Sequence, residues 1–280
     1  MPLTSPRLWV VATPLGNPGD FSTRAREILA EVDVILAEDT RRAARLCAEQ
    51  GIRPRRLLSF FEHNEEKRAG EALCLLREGR SLALVSDAGT PLLADPGYHL
   101  VRACRREGFA VSPLPGPSAP SAALSAAGIA PLPYTFLGFL PRDPAGQKNL
   151  FRAFAATPGS LVFFERRDRL RTSLFLAYEI LGPRELAVCR ELTKIHEEFI
   201  LTRLEKAADL PKTLLGELTI IIGPQERAAR LPEDDIRRLI ADARVGRKAK
   251  PGELARRLRK EACGWSAKEL YALLTQTEER

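Results

Sequence analysis

The residues able to do chemistry lie in short polar clusters, each placed directly after an apolar run. The richest is Ser86-Asp87-Ala88-Gly89-Thr90-Pro91, between the run Leu82 to Val85 and the pair Asp95-Pro96. One carboxylate, two hydroxyls, a glycine and a proline in six residues is the composition of a strand-end loop, not of a core. Similar clusters are Thr13 to Asp20 after Leu8 to Ala12, Glu38 to Arg42 after Val34 to Ala37, Glu62 to Glu65 after Leu57 to Phe61, and Pro115 to Ser118 after Val111 to Leu114. Carboxylates and imidazoles suit proton transfer, and glycine-rich turns leave backbone amides free for a ligand. Each cluster also has a plainer reading. Glu38 and Asp39 can simply pair with Arg41 and Arg42, and His63 can simply hold its loop.

The elements that must position these groups follow from periodicity. Ala25, Ile28, Leu29 and Val32 fall at helical spacing, and helices are expected from Thr40 to Gly51, Asn64 to Gly79, Asp95 to Gly108 and Ser118 to Gly128. Asp95-Pro96 reads as an N-cap followed by a first-turn proline. Strand, turn and helix thus alternate through residues 8–128, which implies a mainly parallel sheet covered on both faces. Strand ends in such a sheet share one edge, so the five loops can converge there.

After Pro131 and Pro133 the rhythm changes. Strands are expected at 135–140, 160–164, 186–190, 197–202 and 217–222, with helices near 148–156, 168–181 and 204–209. Few helices intervene, so a mixed second sheet follows. Beyond Gly223-Pro224 the chain reads as three short charged helices resembling a helix-turn-helix, with Ser266 to Glu269 as a capping box. The expected division is an N-terminal α/β domain over 1–130, a second α/β domain over 131–224 and a basic helical tail over 225–280. His99 and His196 read as structural residues, on a helix and a strand respectively. Trp265 and Tyr271 read as core of the tail.

Several function classes are excluded. The first strand is not followed by G-x-G-x-x-G, nor does G-x-x-x-x-G-K-[ST] occur, so neither the usual dinucleotide turn nor a P-loop is present. No apolar run approaches the ~20 residues of a membrane span. The N-terminal apolar segment enters a glycine turn, not a small-residue cleavage site, so no signal peptide is read. The five cysteines, Cys47, Cys74, Cys104, Cys189 and Cys263, are scattered and odd in number. That suits reduced thiols in a cytoplasm and suggests no metal site. The formal charge is +7, and residues 244–260 hold eight bases (Arg244, Arg247, Lys248, Lys250, Arg256, Arg257, Arg259, Lys260) against Glu253 alone. Such a stretch fits a polyanion, or is a solvated helix face.

The motifs VATPLGNPGD, AEDTRR, FEHNE, LVSDAGTPLLADPGYHLVRACR, PLPGPSA, GFLP and CRELTKIHEEF occur in this order. Together they resemble the tetrapyrrole methylase family, in its branch of ribosomal RNA ribose methyltransferases, over residues 8 to about 222, and the tail is similar too. The resemblance implies two α/β domains with a cleft, S-adenosylmethionine (AdoMet) as donor, a cytidine 2′-hydroxyl of 16S rRNA as acceptor, and a homodimer. By matching positions it assigns the cofactor pocket to Pro14, Leu15, Gly16, Asp87, Gly89, Thr90, Ser118, Ala119 and Phe164. Candidates for a catalytic base are Glu38, Asp39, His63 and Glu165. Two departures stand out. Where the family pattern runs roughly F-Y-E-S-x-H-R, this chain reads Phe163 to Arg169, with Arg166 and Asp168 at the Ser and His positions. The basic pair usual after GFLP is thinned to Arg142 and Lys148. Two rivals remain: a tetrapyrrole carbon methylase of the same superfamily, and an RNA-binding or ribosome-assembly factor that keeps the fold without catalysis.

Overall fold

A computed structural model describes residues 6–211, 213–225, 231–244, 250–259, 261–262 and 264–276 of the 280-residue chain. Strands β1 (Arg7–Val11), β2 (Val34–Ala37), β3 (Leu57–Ser59), β4 (Leu82–Val85) and β5 (Ala110–Leu114) form a wholly parallel sheet in the order β3-β2-β4-β1-β5. The alternation of side chains along each strand divides the residues between two cores. Trp9, Val11, Ile35, Ala37, Ala83 and Val85 pack on one face with helices α1 (Thr23–Glu31) and α2 (Thr40–Glu49). Leu8, Val34, Leu36, Leu82 and Leu84 pack on the other with α3 (Glu65–Arg77) and α4 (Tyr98–Arg106). Burial on both faces is why the strands read as continuous apolar runs.

The second sheet is mixed, as its scarcity of helices implied. Strands β6 (Tyr134–Phe139), β7 (Ser160–Glu165), β8 (Glu185–Arg190), β9 (Glu198–Arg203) and β10 (Leu218–Ile222) lie in the order β6-β7-β10-β8-β9. Only β6 and β7 run parallel among these pairs. One face packs on α6 (Pro144–Phe154) and α7 (Leu170–Leu181). The other face, Val162, Ala187, Cys189 and Ile221, packs on Ala123 and Leu124 of α5 (Ala119–Ala126) and on Ala127, which caps it. The alanine-rich helix that follows β5 therefore serves the second sheet. Its small side chains allow that close approach.

Several local expectations are corrected by the contacts that form. The cap of α2 is Asp39, not Thr40: its carboxylate accepts the Arg41 N–H at 2.8 Å. Asp95 does not cap α4. That helix starts at Tyr98, and Glu65 Oε1 from the start of α3 accepts the N–H groups of Gly97 and His99 at 3.0 and 3.1 Å. Asp143 starts α6 one turn earlier than expected, accepting the Gly146 N–H at 2.6 Å. The expected helix at 204–209 is a 3-10 turn. His99 is exposed on α4, and His196 sits in an exposed turn before β9 instead of on a strand.

Arg184 is 1% exposed and donates to the carbonyls of Leu181, Gly223 and Ala155 at 3.3, 3.5 and 2.9 Å. It thereby satisfies chain ends of α7, β10 and α6 together. Burial lowers its pKa. Replacing it by Met leaves three carbonyls unpaired at ~1 kcal/mol each, so Arg184→Met should destabilise this unit by about 3 kcal/mol in denaturant unfolding.

Residues 1–224 form one compact unit and 225–280 another. In the second, α8 (Glu233–Arg244), α9 (Pro251–Leu258) and α10 (Ala267–Gln276) enclose Ile236, Ile240, Leu254, Leu258, Leu270 and Leu274. The capping box forms: Ser266 Oγ accepts the Glu269 N–H at 3.2 Å, and Glu269 accepts the Ser266 N–H at 2.8 Å. Trp265 packs against this core and its indole N–H donates to the Leu231 carbonyl at 2.8 Å. Tyr271, expected in the core, is exposed instead. Lys250, Arg256, Arg257 and Arg259 are exposed, and Arg244 donates to the Leu274 carbonyl. Arg247, Lys248, Lys260 and Cys263 lie outside the described residues.

Candidate active site

The loop after β4 is tied to three of its neighbours. Thr13 and Gly89 exchange backbone hydrogen bonds at 2.8 and 3.0 Å, joining the loops after β1 and β4. Thr13 Oγ1 also donates to the Ser86 carbonyl at 3.1 Å. The Asp39 N–H donates to Asp87 Oδ1 at 3.2 Å, bringing in the loop after β2. Thr90 Oγ1 donates to the Pro117 carbonyl at 2.9 Å, bringing in the loop after β5. Gly89 has φ +79°, and a Cβ there would meet Leu15 at 3.2 Å, so the close approach of these loops calls for glycine.

These loops line a cavity of about 470 Å³. Leu15, Glu38, Arg42, Asp87 to Thr90, Leu93 to Asp95 and Ser118 to Pro120 form its side toward the parallel sheet. Phe139, Phe164 to Arg166 and Gly216 to Thr219 form its side toward the mixed sheet. Phe164 is held by edge and tilted contacts to Phe136 and Phe139, with ring centroids 5.0 and 5.3 Å away.

Of the residues assigned to a cofactor by resemblance, Leu15, Asp87, Gly89, Thr90, Ser118, Ala119 and Phe164 line this cavity, and Pro14 and Gly16 do not. Among the proposed bases, Glu38 and Glu165 line it, and Asp39 and His63 do not. Asp39 backs the wall through its N–H on Asp87. His63 is exposed on a 3-10 turn, its ring edge-on to Phe61. The loop after β3 stays outside because β3 is the sheet's edge strand, two places from β4.

Arg42, Asp95, Phe139 and the 216–219 segment were not anticipated as lining. Arg42 stood in a cluster already singled out, and Asp95 stood at the end of another and was taken for a cap. Residues 216–219 carry no motif, since their place follows from the pairing of β10 with β7 and β8.

The electrostatics separate the carboxylates into distinct roles. Asp87 pairs with Arg42 at 3.2 Å. Burial raises the pKa of Glu38, the charges of Asp87 and Asp95 raise it further, and Arg42 opposes them. Asp39, hydrogen-bonded by Arg41, is held far below the usual carboxylate range. Glu165 is fully buried and already accepts the Arg166 N–H at 2.7 Å, Arg169 Nη2 at 2.6 Å and Ser173 Oγ at 2.6 Å. The departing residues Arg166 and Asp168 pair with each other at 3.2 Å on the surface.

Burial pushes Asp95 up to about 6, with a Ser86 hydrogen bond opposing and the Asp87 charge adding to the shift. The folded chain then keeps a proton that the unfolded chain, near 3.8, has already lost. Stability therefore falls as pH rises from that unfolded value through about 6, and stays lower above it. Asp95→Asn removes this titration. After discounting for partial exposure it should stabilise the fold by about 1–2 kcal/mol near pH 8 and by nothing near pH 4, as read by urea unfolding.

The sequence model of the tetrapyrrole (corrin/porphyrin) methylases matches residues 7–208. The chain is 43% identical over 222 residues to the ribosomal RNA small subunit methyltransferase I of Thermotoga maritima, covering 79% of this chain and 99% of that one. It is 41% identical over 271 residues to the protein of the same name from Xylella fastidiosa, covering 94% of this chain and 97% of the relative. Among solved structures, the fold is similar to uroporphyrin-III C-methyltransferase from Thermus thermophilus, complexed with S-adenosyl homocysteine. The TM-score there is 0.56 at 20% identity, over 77% of this chain and 96% of that one.

Proposed function

The chain belongs to the tetrapyrrole methylase family, and from that premise we propose that it moves the methyl group of AdoMet to the 2′-hydroxyl of a cytidine ribose in 16S rRNA. The observation that carries this is the 41% identity to a small-subunit rRNA methyltransferase, which spans 94% of the chain. A tetrapyrrole carbon as acceptor would leave the exposed Lys250, Arg256, Arg257 and Arg259 without a role. We propose further that the protein acts as a homodimer in the cytoplasm, where its RNA substrate is made.

The residues of the cleft fit such a donor. A cavity of about 470 Å³ is of ligand size, and Leu15, Ala119, Phe139 and Phe164 offer apolar surface to a purine. Asp87, Asp95 and Glu38 bring negative charge to a cationic ligand. Bound there, AdoMet supplies a methyl carbon already activated by its sulfonium. Holding donor and acceptor in line does much of the remaining work.

In this reading Glu38 takes the ribose hydroxyl proton: it lines the cleft, and its raised pKa makes it a stronger base than an ordinary carboxylate. Arg42 partly neutralises the neighbouring Asp87 and keeps Glu38 able to ionise. Asp39 is too acidic for the task, and Glu165 has its oxygens committed. Both are positioning groups.

The test is incubation of the purified chain with methyl-labelled AdoMet and undermethylated small ribosomal subunits, followed by nuclease digestion and mass spectrometry. Label in 2′-O-methylcytidine is expected. Label in a base, or none with RNA but some with a tetrapyrrole, would overturn the proposal.

A further inference from the structure

Lys194 lies in the turn 191–197 that connects β8 to β9. Its ammonium stands 3.0 Å from Glu191 and 3.0 Å from Glu217. Glu191 Oε1 also accepts the Glu217 N–H at 3.0 Å, so one carboxylate holds both the lysine and the backbone just before β10. Glu217 and the adjoining Gly216 line the cleft.

The aliphatic stem of Lys194 lies over Gly16. A Cβ on Gly16 would stand 2.8 and 2.9 Å from Cε and Cδ of Lys194 and would also meet its Cγ. Gly16 itself does not line the cavity, whereas Leu15 beside it does. The glycine is explained by the lysine that crosses it.

The turn carrying Lys194 is closely determined. Glu191 and Thr193 adopt left-handed φ values of 51° and 66°, which side-chain-bearing residues rarely do. The Thr193 N–H donates to Glu197 at 2.6 Å, and the Lys194 N–H to the Glu191 carbonyl at 3.0 Å. Backbone kept in such a conformation is held there by its surroundings, and such positions gather at functional sites.

We propose that Lys194 is a positioning residue for the methyl donor: clamped by Glu191 and Glu217, it straps the turn 191–197 across Gly16 and sets the spacing between the loop after β1 and the segment entering β10. This rests on the cleft being the AdoMet site. The Lys194–Glu217 pair is exposed on its glutamate side, and an exposed ion pair adds little to folding. The strap therefore acts on the width of the cleft more than on the stability of the fold.

The experiment is calorimetric titration of the full chain with S-adenosylhomocysteine, alongside thermal unfolding and rRNA methylation kinetics. Lys194→Met keeps the stem and removes the charge, Lys194→Arg keeps both, and Gly16→Ala disturbs the strap from the opposite side. Lys194→Met and Gly16→Ala should each raise the ligand Kd by about tenfold, with Lys194→Arg within about twofold of the unaltered chain. The melting temperature and the KM for rRNA should hardly change. An unchanged Kd in Lys194→Met, failure of Lys194→Arg to restore binding, or a loss expressed only in the rRNA KM would overturn the strap. Absence of heat with the unaltered chain would instead bring down the donor reading on which it rests.

Discussion

Glu38→Gln should slow methyl transfer by about 10²–10⁴-fold while leaving donor affinity nearly unchanged. Gln keeps the shape and the hydrogen-bonding reach of Glu38 but cannot accept a proton at neutral pH. The pH profile separates proton transfer from binding. Burial and the charges of Asp87 and Asp95 raise the Glu38 pKa, so the rate should climb with pH later than an ordinary carboxylate would allow. The glutamine variant should lose this rising limb. Arg42→Met removes the opposing positive charge and should move the limb to still higher pH. Single-turnover rates at saturating AdoMet, measured across pH, check both. A Glu38→Gln rate within about twofold of the unaltered chain would remove Glu38 from proton transfer.

Asp87→Ala should weaken AdoMet binding by more than about 100-fold, with the fold intact. Asp87 Oδ1 accepts the Asp39 N–H and Oδ2 meets Arg42, so its loss strands a backbone donor and a guanidinium on the cleft wall. It also removes a negative charge from the cleft proposed to hold the cationic donor. The lost attraction between this carboxylate and a cationic donor, with Arg42 left uncompensated beside it, is asked to supply about 2.8 kcal/mol for that size. Asp87→Asn keeps an oxygen for the Asp39 N–H and should lose less. Calorimetry separates the two variants, and circular dichroism checks that both remain folded. Equal losses in the two would mean that the charge alone matters.

Much of the molecule was legible because its signals are local. The runs Val34 to Ala37 and Leu82 to Val85 read as buried strands and are buried strands, paired in register. The Ser266–Glu269 box forms within one helical turn. Where the reading of the cleft failed, the deciding contact came from afar. Asp95-Pro96 has the form of a helix start, but Glu65, on the preceding helix, satisfies those amides and leaves Asp95 for the cleft. The loop after β3 is as polar as the others, yet strand order puts it at the sheet's edge.

Residues 216–219 reach the cleft only through the pairing of β10, which no spacing announces. Glu38 and Asp39 are adjacent and chemically alike in the sequence. Burial raises one and Arg41 lowers the other, and neither effect can be read from residue type.

The central claim is that loops from both sheets close on one methyl donor. A crystal structure of the full chain with S-adenosylhomocysteine tests it most directly. The ligand is expected between Leu15, Asp87, Ser118 and Phe164, with its sulfur open toward Glu38. Ligand bound elsewhere on the chain, or a sulfur walled off from Glu38, would contradict it.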